Sequence, residues 1–280
     1  MFDPAELDRQ YNARAAVPDH PAYLLRWAQR SAAAREQLRC ELNYYYSSNP
    51  ADTLDIFPSS RPGAPLFLFI HGGYWRALDK SDFSFLAPAF VDAGVSLAVV
   101  NYGLAPEHSV GTIVQQLLRA CAWLWRNASG FAVDPGRIHV GGHSAGGHLA
   151  AMMLAAQWSI YANDLPDNLL RGGICISGLY DLAPLARAPF LRDSLKLDEQ
   201  EARRLSPVNY LPARPVPLVT AVGGRESAEF HRQNRLIAAA WPHCPVRDVA
   251  MPGHHHFSIA EALGDPRSAL FQATLRLVQG

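Results

Sequence analysis

Ser144 lies in the run "RIHVGGHSAGGHLAAMMLAAQ", residues 137–157, between a short apolar stretch and a helical pattern. Gly142-His143-Ser144-Ala145-Gly146 fits G-x-S-x-G at a strand-to-helix turn, the pattern of a nucleophile elbow. Such a turn holds the serine in a strained conformation, and side chains two residues before and after it would collide with the adjoining strand and helix. The helix that starts after Ser144 offers backbone N–H groups and a favourable dipole to a developing oxyanion. Other glycine-rich readings fail on detail. A phosphate loop needs Lys where the chain has His148, and G-x-G-x-x-G fits "GGHSAGG" in no register.

A serine hydroxyl needs a base to take its proton, a third group to orient that base, and donors for the oxyanion. "FLFIHGGYW" ends an apolar run upstream of the serine with His71-Gly72-Gly73-Tyr74-Trp75. Gly73, with Gly72 as its neighbour, is the expected donor on that side, and Ala145, directly after the serine, is the other. The base is expected in the loop after the last strand, where "VRDVAMPGHHHFSIAEAL" carries His254, His255 and His256. Consecutive residues cannot all point the same way, and the pattern alone leaves the choice among them open. Three adjacent histidines make an awkward chelate, and no Asp, Glu or Cys stands at ligand spacing nearby, so neither a metal nor another cofactor is expected. The acid should follow "VPLVTAVGG", where "GGRESAEFHRQ" offers Glu226 and Glu229. Glu226 is the better placed, because Glu229 falls in the following helix, where dipole and capping alone attract glutamate.

These residues need a scaffold. The apolar runs "PLFLFIHGG", "VSLAVVNYG", "RIHVGG", "GGICISG" and "VPLVTAVGG" alternate with helical patterns such as "TIVQQLLRACAWLWRNA" and "RQNRLIAAAW". Continuously apolar strands between helices signal an α/β protein with a parallel sheet covered on both faces. "CELNYYY" and "TLDIFPS", joined by "SSNPAD", read as a hairpin at the edge of that sheet. Residues 1–40 form an N-terminal segment, helical from 4 to 39 with "YLLRWAQRSAAAREQL" at its centre, expected to pack over the main body. Residues 185–215 are charged and proline-rich, an insertion placed where a cap over a site would lie. The whole chain, 280 residues at 49% hydrophobic, is expected to fold as a single domain over 1–280.

Acidic and basic residues balance at 25 each, so no broad field attracts nucleic acid or an anionic membrane, and neither is an expected partner. The start "MFDPAELDRQYNARAA" is polar and acidic where a signal peptide would be basic and then apolar, and no stretch approaches the length of a membrane span. A cytoplasmic protein acting on a small-molecule substrate is therefore expected, with its assembly, a homodimer included, left open. Cys40, Cys121, Cys175 and Cys244 are far apart with no CxxC pair, which points to buried free thiols.

Taken together, "HGGYW", "NYGLAPE", "GHSAGGHLA", "ISGLYDLAPL", "ESAEFHRQ" and "HHHF" resemble the kynurenine formamidase (arylformamidase) branch of the α/β-hydrolases, close to the hormone-sensitive-lipase-like esterases. The resemblance runs from residue 41 to the end, and "YNARAAVPDHPAYLLRW" is similar to the N-terminal segment of bacterial members. It implies an α/β-hydrolase fold, with a mostly parallel sheet of about eight strands and helices on both faces. It also implies Ser144 as nucleophile, Glu226 as acid at the start of "ESAEF", and His256, directly before phenylalanine, as base. Animal members carry aspartate where this chain has Glu226. The implied substrate is N-formyl-L-kynurenine, giving L-kynurenine and formate.

Five aromatic residues fall at or near the strand ends where such a site forms. Tyr74, Trp75, Tyr102, Tyr180 and Phe257 are on that ground expected to bind the substrate. Two other readings share the scaffold. One is a general carboxylesterase with a small-acyl preference, since fold and triad do not determine the substrate. The other is a non-catalytic binding protein, which the presence of all the catalytic parts speaks against.

Overall fold

The structure, a computed structural model, describes residues 3–280; residues 1 and 2 of the expected N-terminal segment lie outside the described residues. Eight strands form one sheet: β1 (Glu41–Tyr45), β2 (Thr53–Phe57), β3 (Ala64–Ile70), β4 (Ser96–Val100), β5 (Val133–His143), β6 (Gly173–Ile176), β7 (Leu218–Gly223) and β8 (Val246–Met251). Their order is β1-β2-β4-β3-β5-β6-β7-β8. β1 pairs antiparallel with β2, and β2 with β4; every other pairing is parallel. The hairpin read from "CELNYYY" and "TLDIFPS" thus stands at the sheet edge.

Every residue of β2, β3, β4, β6 and β7 is buried. Strands that are apolar on both faces are stable only with helices above and below. The helix Val110–Asn127 supplies one such cover. Ser109 starts it by accepting the Thr112 N–H at 3.1 Å, and its buried face includes Ile113, Leu117 and Leu124. β5 is longer than its apolar run, because Val133 already pairs with Ala64 before a register shift, four residues upstream of Arg137, where the apolar run starts.

Helices Pro4–Tyr11, Ala13–Ala16 and His20–Gln37 make the N-terminal segment. Trp27 anchors it, buried with its ring centroid 5.4 Å from Phe83 and 6.0 Å from both Phe85 and Phe257. Tyr11, also buried, donates its hydroxyl to Glu229 Oε2 at 2.6 Å. The exposed pair Arg26–Glu261, at 2.8 Å, adds little beside these buried contacts. The insertion at 185–215 contains helices Pro189–Leu195 and Glu199–Arg204 and the short turn Pro207–Asn209. Its Phe190 N–H donates to Asp8 Oδ1 at 3.3 Å, so the N-terminal helix and the insertion meet.

All four cysteines are free, and Cys121 and Cys175 are buried. Burial pushes both thiols up, Cys175 to about 12. Cys40 and Cys244 are only half-buried, a correction to the expectation of four buried thiols: they lie just outside strands β1 and β8, the two edges of the sheet. Among the described residues, no helix is long and apolar enough to cross a membrane.

Candidate active site

Ser144 stands between β5 and the helix Ala145–Leu154 with φ 59° and ψ −120°, a conformation that costs a serine energy and persists only where its surroundings dictate it. Its N–H donates to the Ile176 carbonyl at 2.8 Å, which ties the turn to the end of β6. The flanking glycines are required by close approach. A Cβ on Gly146 would lie 2.0 Å from the Ile70 carbonyl oxygen, and one on Gly142 would meet the Gly146 backbone at 2.3 Å. Ala145 carries the first N–H of the helix, which has no acceptor inside it.

The loop after β3 lies directly against this turn. A Cβ on Gly72 would sit 2.7 Å from the His143 carbonyl oxygen and 3.1 Å from Ser144 Cβ, so only glycine lets the loop backbone reach the serine. His71 braces it from behind. Its ring is buried, stacked on Tyr102 at 4.3 Å and 10°, with Nδ1 2.8 Å from the Gly72 carbonyl. Burial lowers the His71 pKa, partly opposed by that hydrogen bond.

The five aromatic residues expected at the substrate divide. Trp75, Tyr102 and Tyr180 are 0%, 1% and 0% exposed, which leaves no surface for a ligand to touch. Packing accounts for them: Trp75 meets His148 edge-on at 5.0 Å, Tyr102 donates to the His71 carbonyl at 2.8 Å, and Tyr180 fills the space left by Gly178. Their expected substrate contact is corrected to a role in holding the loops. Phe257 is stacked on His20 at 5.5 Å. Tyr74 remains partly exposed and lines a cavity beside Gly73.

Glu226 and His256 arrive from the loops after β7 and β8. His256 Nδ1 lies 2.6 Å from Glu226 Oε2, and both side chains are almost wholly buried, at 7% and 1% exposure. An ionised carboxylate only accepts, so this contact puts the proton on Nδ1 and leaves the Nε2 lone pair available. The other carboxylate oxygen, Oε1, accepts from Ser177 Oγ at 2.6 Å and from the Gly223 N–H at 2.8 Å. Arg225 N–H to the His254 carbonyl, at 3.0 Å, joins the two loops. The longer side chain of glutamate therefore reaches His256.

The neighbouring candidates lie elsewhere. Glu229 accepts from Tyr11 at 2.6 Å and from Arg232 Nε at 2.8 Å, facing the N-terminal segment. His255 faces Tyr23, with Nε2 3.1 Å from its hydroxyl, while Nδ1 accepts the Phe257 and Ser258 N–H groups at 3.2 and 3.3 Å. Among the described residues, His254 Nδ1 has no hydrogen-bond partner. The three histidines diverge, and among the described residues no group of three or more His, Cys, Asp or Glu could hold a metal ion.

Three contributors are absent from the sequence reading. Ser177, next to last in the run "GGICISG", directly follows the C-terminus of β6 with φ 48°, and that position was the available signal. His143 and Phe230 pack against the His256 ring at 4.5 and 4.7 Å, contacts between segments far apart in the chain. Burial, and then the neighbouring His256 imidazole, hold His143 well below the ordinary histidine range. A neutral wall beside His256 follows. Ser177→Ala removes one of three donors to a buried carboxylate, and kcat should fall roughly tenfold with KM little changed. Steady-state kinetics test this, and a wild-type kcat would show that the hydroxyl has no part in positioning Glu226.

The loops after β3, β5, β6, β7 and β8 thus converge at the C-terminal ends of parallel strands, where open α/β sheets bind ligands. The chain belongs to the α/β-hydrolase fold family, whose model matches residues 67–212, and it is a hydrolase. It is similar along its length to the kynurenine formamidase of Salmo salar, 29% identical over 288 residues that cover 99% of this chain and 94% of that one. A solved protein of Silicibacter sp. tm1040, provisionally named a thioesterase, is 32% identical with a TM-score of 0.86, covering 98% of this chain and 99% of that one. An esterase of Pyrobaculum calidifontis shares the fold at 19% identity and a TM-score of 0.70, over 94% of this chain and 93% of that one.

Proposed function

We propose that the protein is a formamidase that cleaves N-formyl-L-kynurenine to L-kynurenine and formate, with Ser144, His256 and Glu226 as its triad. His256 Nε2 takes the Ser144 proton as the hydroxyl oxygen attacks the formyl carbon. The tetrahedral oxyanion is held by the N–H groups of Gly73, with Gly72 beside it, and Ala145. The C–N bond breaks as His256 returns the proton to the leaving amine. Water, deprotonated by the same histidine, then releases formate from Ser144. Glu226 keeps the imidazole in the required tautomer and stabilises its charged form.

One observation supports the formamide over an ester: the similarity to a kynurenine formamidase covers 99% of this chain and so takes in the N-terminal segment. Asn12, Arg14 and His20 of that segment wall the cavity beside Gly73. The test is kcat/KM of the purified protein on N-formyl-L-kynurenine and on p-nitrophenyl acetate. A clear preference for the formamide is expected. Rapid ester cleavage with little formamide turnover would replace the formamidase by a carboxylesterase. No labelling of Ser144 by a fluorophosphonate would leave only a binding protein.

A further inference from the structure

The cavity beside Gly73 has a volume of about 390 Å³, within the range of small-molecule sites. Gly73 and Tyr74 of the oxyanion loop form one wall, and Asn12, Arg14 and His20 of the N-terminal segment another. Arg76 also lines it. His20 also stacks on Phe257, which directly follows the proposed base in the chain, while Gly73, the proposed oxyanion donor, lines the cavity itself.

Two guanidinium groups share this space. Arg76 is held at Nη1 by the Phe190 carbonyl and by Ser194 Oγ, each at 2.8 Å, and its Cζ lies 5.6 Å from the Phe190 ring centroid. Those partners are neutral. Among the described residues, neither Arg14 nor Arg76 has a carboxylate within 4.0 Å, whereas Arg9, Arg26, Arg126 and Arg232 each pair with one. Partial burial first, and then the charge of Arg14, lower the Arg76 pKa. Two uncompensated cations at one half-buried cavity repel each other, and a shared anion removes that cost. Planar guanidinium groups bind carboxylates bidentately, which fits them to an amino-acid carboxylate.

We propose that Arg14 and Arg76 form a carboxylate subsite, so that the enzyme selects substrates whose leaving group carries a carboxylate remote from the bond that Ser144 attacks. The subsite rests on Ser144 and Gly73 acting as proposed, but not on the scissile bond being a formamide. The side chain of Arg14 comes from the N-terminal segment and that of Arg76 from the loop of the oxyanion donor. Docking of the segment therefore completes the selection.

The test compares matched substrate pairs: N-formyl-L-kynurenine with its α-carboxamide, and the acetate ester of 3-(2-hydroxyphenyl)propanoate with that of the corresponding carboxamide. The readout is the ratio of kcat/KM within each pair, which cancels any loss of folded enzyme. The wild-type ratio should favour the carboxylate roughly ten- to hundredfold, mainly through KM, and fall to within about threefold of unity in Arg14→Gln and Arg76→Gln. Arg14→Lys should keep part of it. Unchanged ratios in the variants, or wild-type ratios near one, would overturn the subsite. An arginine-dependent ratio on the ester pair without formamide turnover would keep the subsite and remove the formamidase reading; formamide turnover with no such dependence would do the reverse. Calorimetric titration of 3-(2-hydroxyphenyl)propanoate and its carboxamide reads the same preference as a Kd ratio without turnover, and equal Kd values also overturn the proposal.

Discussion

Ser144→Ala is expected to lower kcat on N-formyl-L-kynurenine on the order of 10⁵-fold or more, and His256→Ala by a similar amount. Nucleophile and base act as one unit: without the hydroxyl there is nothing for the imidazole to activate, and without the imidazole the hydroxyl stays a weak nucleophile. The double variant should therefore be scarcely slower than either single one. A double variant slower by the product of the two losses would mean that the residues act independently, and the proposed mechanism would fail. His255→Ala is the structural control. His255 binds Tyr23 and the backbone of its own turn, so its loss should loosen that corner and keep more than about a tenth of the activity. Circular dichroism separates a folded, inactive Ser144→Ala protein from an unfolded one.

Glu226→Ala is expected to cost on the order of 10³- to 10⁴-fold in kcat. The carboxylate holds Nδ1 at 2.6 Å, and its removal frees the imidazole to turn and to place its proton on the wrong nitrogen. It also leaves Ser177 Oγ and the Gly223 N–H facing an empty space where both had an acceptor. A drop in thermal stability should accompany the loss of activity, because buried donors left unpaired cost about 1–3 kcal/mol each. Glu229→Ala should show the opposite balance. It takes the acceptor from the Tyr11 hydroxyl and leaves Arg232 with Asp181 as its carboxylate partner, so stability should fall with kcat reduced far less. Equal effects on kcat from the two substitutions would undo the assignment of Glu226.

How legible each part was in the sequence depended on the length scale of the physics behind it. The elbow was legible because strand, tight turn and helix are consecutive in the chain, and the close crossing at Gly142 and Gly146 admits no side chain. The parallel sheet was legible because strands buried on both faces must be apolar throughout. Choosing among His254, His255 and His256 was beyond periodicity. A loop has no repeating face, and the direction of each ring is set by partners from elsewhere: Tyr23 for His255, Glu226 for His256. Trp75, Tyr102 and Tyr180 were misread for the same reason. A strand-end position says that a ring is near the site, while the neighbours that bury Trp75, Tyr102 and Tyr180 come from other loops.

The sequence by itself determined the residue types that could do the chemistry, their order along the chain and the elements that carry them, because backbone sterics and burial act locally and leave periodic marks. Only the tertiary structure decided which carboxylate meets which histidine, that Ser177 secures that carboxylate, and that Arg14 and Arg76 share a cavity beside Gly73. Those pairings join residues 30, 49 and 62 positions apart, and separations of that size are closed by packing of the sheet and the N-terminal segment, which no local pattern encodes.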